Sequence, residues 1–161
     1  MKQSISIILL VFATTVSMAQ SPAATAEGKA GSVKVKIDYH QPSAKGRKIM
    51  GGLVPFGEVW RTGANETTTI DVDGPMKLEG KDLAKGKYGL FTLPGENEWT
   101  IIINKGIKWG AFTYKQEEDV LRVTVKPVKT ASFVETFVIS VENDQVIMKW
   151  ENTQVAFKIK G

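Results

Sequence analysis

The chain contains no cysteine and a single histidine, His40. The first absence excludes disulfides, thiolate metal sites and thiol nucleophiles, so stability must come from packing. The second leaves too few nitrogen donors for the common zinc sites, which draw three or four ligands from Cys, His and carboxylates. No metal and no cofactor is therefore expected. A Ser-His-Asp triad is formally open to His40, but no G-x-S-x-G nucleophile elbow accompanies it. Helical periodicity is missing as well. No window of about twelve residues repeats its apolar positions at the 3.6-residue period. A strong charge imbalance is also absent. Lys and Arg total 21 against 17 Asp and Glu, a net charge of +4. The lysines are spread along the chain rather than gathered on one stretch, so no nucleic-acid partner is expected.

Long apolar runs are missing except at the start. Residues 5–16 are mainly apolar, follow Lys2, and are followed by Ser17, Met18 and Ala19. A run of about a dozen residues between a positive start and small residues at −3 and −1 reads as a secretory signal peptide cut after Ala19. It is too short to span a bilayer. The chain is expected to be exported, periplasmic or secreted, with no membrane span once residues 1–19 are removed. Residues 20–31, rich in Ala, Gly and Ser, read as a flexible lead, and residues 32–161 as one domain.

What is present is strand pattern. Residues 32–40 alternate Val33, Val35, Ile37 and Tyr39 with Lys34, Lys36, Asp38 and His40, the period of a strand buried on one face. Similar segments occur at 67–72, 76–78, 87–93, 98–104, 109–114, 120–126, 135–142, 145–150 and 154–159. The unbroken Ile101-Ile102-Ile103 predicts a central strand covered on both faces. Asn143-Asp144 and Glu151-Asn152 read as tight turns, since Asn and Asp tolerate positive φ. Asp71-Val72-Asp73-Gly74 lacks the further acidic positions of a calcium loop and reads as a turn. The pattern predicts an all-β fold, an antiparallel β-sandwich (jelly-roll-like or immunoglobulin-like) or a closed barrel, with about nine to ten strands.

Residues 39–70, YHQPSAKGRKIMGGLVPFGEVWRTGANETTTI, break that pattern. Gly and Pro are dense here, yet Ile49, Met50, Leu53, Val54, Phe56, Val59 and Trp60 supply enough apolar surface to pack. Residues 39–57 contain no carboxylate. Long loops in compact domains are commonly functional. Trp60, Arg61, Thr62, Asn65 and Glu66 form a dense run of polar chemistry. Arg61 offers a planar fork for a carboxylate or phosphate, and Trp60 a face for a sugar ring. If the preceding loop folds over this segment, Arg47, Lys48 and His40 join it to form a basic, aromatic-lined pocket. The competing reading is structural: Arg61 pairs with Glu66 or Glu58, Trp60 is core, and Asn65 occupies a left-handed turn.

Three blocks, GGLVPFGEVWRTGANETTTI (51–70), GKYGLFTLPGENEWTIIIN (86–104) and WGAFTYKQEEDVLRVTV (109–125), resemble an uncharacterised family of exported bacterial proteins known only as a domain of unknown function. The resemblance covers nearly all of the chain beyond the signal peptide. It departs at His40, where the family commonly carries a small residue. The family implies no reaction, so function rests on the residues. The favoured reading is a binding module for a small molecule or glycan. One alternative is a hydrolase of cell-envelope or extracellular material that pairs Glu66 with Glu58 or Glu96. The other is an interaction protein of the cell envelope.

Overall fold

The structure, a computed structural model, describes residues 20–107 and 114–161. The expected signal peptide and almost all of the expected strand at 109–114 lie outside the described residues.

Among the described residues, ten strands form two antiparallel sheets. They are β1 (Ala23–Ala30), β2 (Val33–His40), β3 (Thr69–Val72), β4 (Met76–Leu78), β5 (Lys81–Leu83), β6 (Gly86–Leu93), β7 (Trp99–Asn104), β8 (Asp119–Val125), β9 (Val128–Glu142) and β10 (Gln145–Lys160). One sheet runs β1-β2-β3-β6-β7-β8 and the other β5-β4-β10-β9. The molecule is a sandwich, not a closed barrel.

Alternation places the core as the sequence indicates. Val35, Ile37, Ile70, Leu90, Ile101 and Ile103 of the larger sheet meet Phe137, Met148, Trp150, Val155 and Phe157 of the smaller one, all nearly or fully buried. Burial of these side chains contributes on the order of 2 kcal/mol each. The triple isoleucine is covered on both faces. Ile101 and Ile103 point between the sheets, while Ile102 and its cross-strand neighbour Phe91 are buried on the outer face, outside the main core.

Two expectations fail. The stretch read as a flexible lead forms β1, paired along its whole length with β2 from Ala23↔His40 to Ala30↔Val33. Its small residues serve close packing: a Cβ on Gly28 would sit 2.6 Å from the carbonyl oxygen of Val141 in β9. Ala26 and Ala30 are buried. The second failure is at Glu151-Asn152, which is not a hairpin turn. β10 runs through it as one strand with register shifts on either side of Glu151. Glu151 does have positive φ, 56°, so the local conformation is that of a turn residue, but it produces a bulge. Asn143 and Asp144, both at positive φ, close the β9–β10 hairpin as expected.

Residues 41–68 link β2 to β3 and pack down despite their glycines. Ala44, Ile49 and Val54 are buried. The stretch 39–57 lacks acids of its own, and carboxylates from the smaller sheet hold its backbone. Lys45 N donates to Glu135 Oε1 at 2.7 Å. Ile49 N and Met50 N donate to Glu151 Oε1 and Oε2, both at 3.3 Å.

Candidate functional site

The polar run after Trp60 is pinned first by its backbone. Trp60 exchanges two backbone hydrogen bonds with Thr92 of β6, at 2.7 and 3.0 Å. This turns the indole inward. It stacks on Trp150 with centroids 5.9 Å apart and meets Phe137 and Trp99 edge-on at 5.1 and 6.4 Å. Its Nε1 donates to the carbonyl of Gly63 at 3.1 Å. The ring is engaged by the core and offers no platform for a sugar. Thr62 is fully buried, its hydroxyl 3.1 Å from that of Thr92. Thr62 and Asn65 adopt left-handed φ of 58° and 57°, and Asn65 Nδ2 donates to Ser21 O at 3.2 Å. Gly63 is required by space: a Cβ there would lie 3.0 Å from the carbonyl oxygen of His40.

The basic residues do not converge on Trp60. Arg47 folds back on its own loop, donating through Nε to Ala44 O at 3.0 Å and through Nη2 to Ser43 O at 2.7 Å. Lys48 is exposed. Arg61 forms no ion pair with Glu58 or Glu66 among the described residues, and its Nε is buried without a hydrogen-bond partner.

His40 and Glu66 do come together, on the opposite side of the larger sheet from the core. Ile37 and Tyr39 of β2 face the core, so Asp38 and His40 face outward. The register sets Asp38 between Thr25 of β1 and Thr69 of β3. Lys87 of β6 faces the same way, because its neighbour Tyr88 packs against the core. These side chains, with Glu66, Thr67 and Ile107, line an open cleft of about 560 Å³, within the usual range for small-ligand pockets. Asp38 is already occupied: Thr25 Oγ1 donates to it at 2.8 Å and Lys36 Nζ lies 3.3 Å away. The side chains of His40, Glu66 and Lys87 have no hydrogen bond or ion pair among the described residues. Glu58 and Glu96, the second carboxylates offered by the sequence, are exposed and do not line the cleft. Among the described residues no three His, Asp or Glu side chains gather as metal ligands.

Sequence reasoning missed the roles of Thr25, Thr69 and Lys87. The outward positions of β2, β3 and β6 were readable from alternation, but their adjacency follows from the strand order. It also missed a polar network beside the cleft. Asn104 Nδ2 donates to Asp119 Oδ1 at 2.8 Å, and Gly106 N donates to Asn104 Oδ1 at 2.6 Å. Arg122 Nε and Tyr114 Oη both donate to Asp119 Oδ2, at 2.6 and 2.9 Å, and Arg122 Nη2 donates to Tyr114 Oη at 2.7 Å. Burial raises the Tyr114 phenol above its ordinary value, opposed by the Arg122 hydrogen bond and reinforced by Asp119. The hydrogen bond to Asp119 raises Arg122. The network holds both ends of the segment between β7 and β8, including Gly106, next to the cleft-lining Ile107.

No curated protein and no solved structure matches the chain significantly. One family model does, over residues 21–159, described as a protein of unknown function, DUF2911. That match spans both described sheets, ending one residue before the end of β10, and the chain belongs to this family.

Proposed function

We propose that the protein is an exported binding module for a small polar molecule, and that its site is the cleft on the outer face of the larger sheet. The carrying observation is that His40, Glu66 and Lys87, from two strands and a loop, line one open cleft with their polar groups unpartnered. Glu66 and Lys87 are exposed and His40 is half-buried, so all three are open to a ligand entering the cleft. Three side chains that face one cavity and pair with nothing are placed to meet a ligand. Export is supported by the sequence of residues 1–19.

The hydrolase reading has less support. It needs a second free carboxylate beside Glu66, and the carboxylate that shares its cleft, Asp38, is held by Thr25 and Lys36.

The test is a thermal-shift screen against sugars, organic acids, phosphates and nucleosides. A ligand of the cleft stabilises by RT ln(1 + [L]/Kd). His40→Ala and Glu66→Ala are expected to remove that shift and leave the unliganded melting temperature unchanged. A saturable shift indifferent to both variants would place the site elsewhere, and no shift across the panel would remove the support for a binding module. N-terminal sequencing of the secreted chain tests export: the expected first residue is Gln20, and an intact Met1 refutes it.

A further inference from the structure

We infer that the cleft selects a dipolar ion, a small molecule carrying an anionic and a cationic group at its two ends. This deepens the binding-module reading and rests on it. Glu66 and Lys87 line the same cleft, yet they do not form an ion pair. The described ion pairs are Lys36–Asp38, Lys77–Asp82 and Arg122–Asp119. The register separates their anchors along the sheet: Lys87 pairs with Asp71, five residues beyond Glu66 in the chain. Lys87 stands on β6, with Gly86 and Tyr88 either side of it in the strand, and Glu66 stands on the loop that enters β3. Asp71, the cross-strand partner of Lys87, could neutralise the lysine, but it makes no ion pair with it and does not line the cleft.

Each free group asks for a different partner. A carboxylate only accepts hydrogen bonds, an ammonium only donates, and an imidazole does one of each when neutral. A neutral polyol satisfies these groups weakly. A ligand with a carboxylate toward Lys87 and an ammonium toward Glu66 satisfies both with charge-assisted hydrogen bonds, which are about twice as strong as neutral ones. His40, on β2, lies across β3 from Lys87 on β6 and adds a further hydrogen-bonding group to the cleft. Thr25, Thr67 and Thr69 give the walls small hydroxyls, with Ala23 and Ile107 as apolar contacts. Because the two charges do not pair and their anchors are separated along the sheet, a ligand whose charges are spaced to bridge them is favoured over one whose charges are adjacent.

The test titrates the full chain by calorimetry at pH 7 and low salt with ω-amino acids of increasing length: glycine, β-alanine, 4-aminobutyrate and 6-aminohexanoate. Butyrate and butylamine serve as the half-charged analogues and glucose as the uncharged one. Affinity is expected to peak at one length in the series, about tenfold or more above butyrate and butylamine. Lys87→Met should reduce the best ligand to the affinity of butylamine, and Glu66→Gln to that of butyrate. Lys85→Met, off the cleft, should change nothing. Two results overturn the inference and leave the binding cleft standing: glucose or butyrate binding as well as every ω-amino acid, or a flat length series that Lys87→Met does not affect. No saturable binding by any compound, glucose included, overturns both readings.

Discussion

Glu151 makes a test of how the glycine-rich loop is held, because one residue carries two separable effects. Its carboxylate receives the backbone N–H groups of Ile49 and Met50, both at 3.3 Å. Its own backbone sits at φ 56° in the middle of β10. Hydrogen bonds to a charged group contribute about 1.5–3 kcal/mol net when well formed. At 3.3 Å these are slightly beyond the ordinary N–H···O range, so about 1 kcal/mol each is the expected yield. A left-handed conformation at a non-glycine residue costs about 1 kcal/mol. Glu151→Ala removes both bonds and keeps the backbone penalty, so it should destabilise the fold by about 2 kcal/mol. Glu151→Gly removes the same bonds but relieves the backbone, and should recover about 1 kcal/mol of that loss. For a chain of this size the alanine variant's melting temperature then falls by about 4–8 °C, and the glycine variant's by about half as much. The assay is urea unfolding followed by tryptophan fluorescence. The cluster of Trp60, Trp99 and Trp150 reports loss of the core, and the slope m is expected to stay unchanged. The reasoning is refuted if Glu151→Ala is within about 0.3 kcal/mol of the parent, which would make the two bonds energetically empty. It is equally refuted if the glycine variant is the less stable of the two.

Trp60→Ala should destabilise by about 3 kcal/mol or more, because it empties a site among Trp99, Phe137 and Trp150; chemical denaturation checks this, and a change in ligand binding with parental stability would contradict the structural placement of the ring. Gly89→Ala should destabilise by about 1–3 kcal/mol, because its Cβ would collide with the carbonyl oxygen of Gly106; the same displacement should weaken cleft binding through Ile107, and titration of the variant reads it. Tyr114 carries a pH dependence. Its phenol is raised by burial in the folded state, so the stability it contributes is complete below the ordinary phenol value and is lost as pH rises through the folded one. Tyr114→Phe should flatten the loss of stability above about pH 10, measured by urea unfolding at a series of alkaline pH values.

Much of the fold was legible because alternation is a local property. β2 and β7 were readable from their own residues, and so was the Asn143-Asp144 hairpin. β1 was not, since Ala24, Ala26, Gly28 and Ala30 carry little hydrophobic signal. Their small size answers a constraint set by β9, more than a hundred residues away, which no window of sequence contains. At Glu151 the conformational preference was read correctly and its consequence was not. A left-handed residue between two strand patterns makes a turn or a bulge according to whether the flanking segments pair with each other or with a third strand, and here both pair with β9. The candidate site divides the same way. Trp60 and Thr62 were conspicuous as residue types, but the backbone pairing with Thr92 turns them inward, Thr62 fully buried and Trp60 half-buried against the core. Lys87 was inconspicuous and reaches the cleft because β6 lies beside β3.

The location of the cleft follows from how the interior is filled. Trp60, Trp99, Phe137 and Trp150 interlock between the sheets, so the interior of this sandwich, unlike that of a ligand-carrying barrel, has no room for a guest at that end. The proposed ligand is therefore met from outside. The outer face of the larger sheet is divided. Across β6 and β7 it carries its own apolar layer, Phe91 and Ile102, with Tyr114 packed on Phe91 at 5.1 Å. Across β1, β2 and β3 it carries hydroxyl and charged side chains instead, and the cleft opens where the two regions meet, with Ile107 on one side and Thr25 on the other. Ladder hydrogen bonds fix the backbone of His40 in β2 and of Lys87 in β6. Glu66, on a loop, is the adjustable member. Its reach is limited by Gly63 against the backbone of His40 and by Asn65 bonded to Ser21. Thr62 and Gly63, buried, thus have a second part to play: they set the loop that carries Glu66 to the cleft.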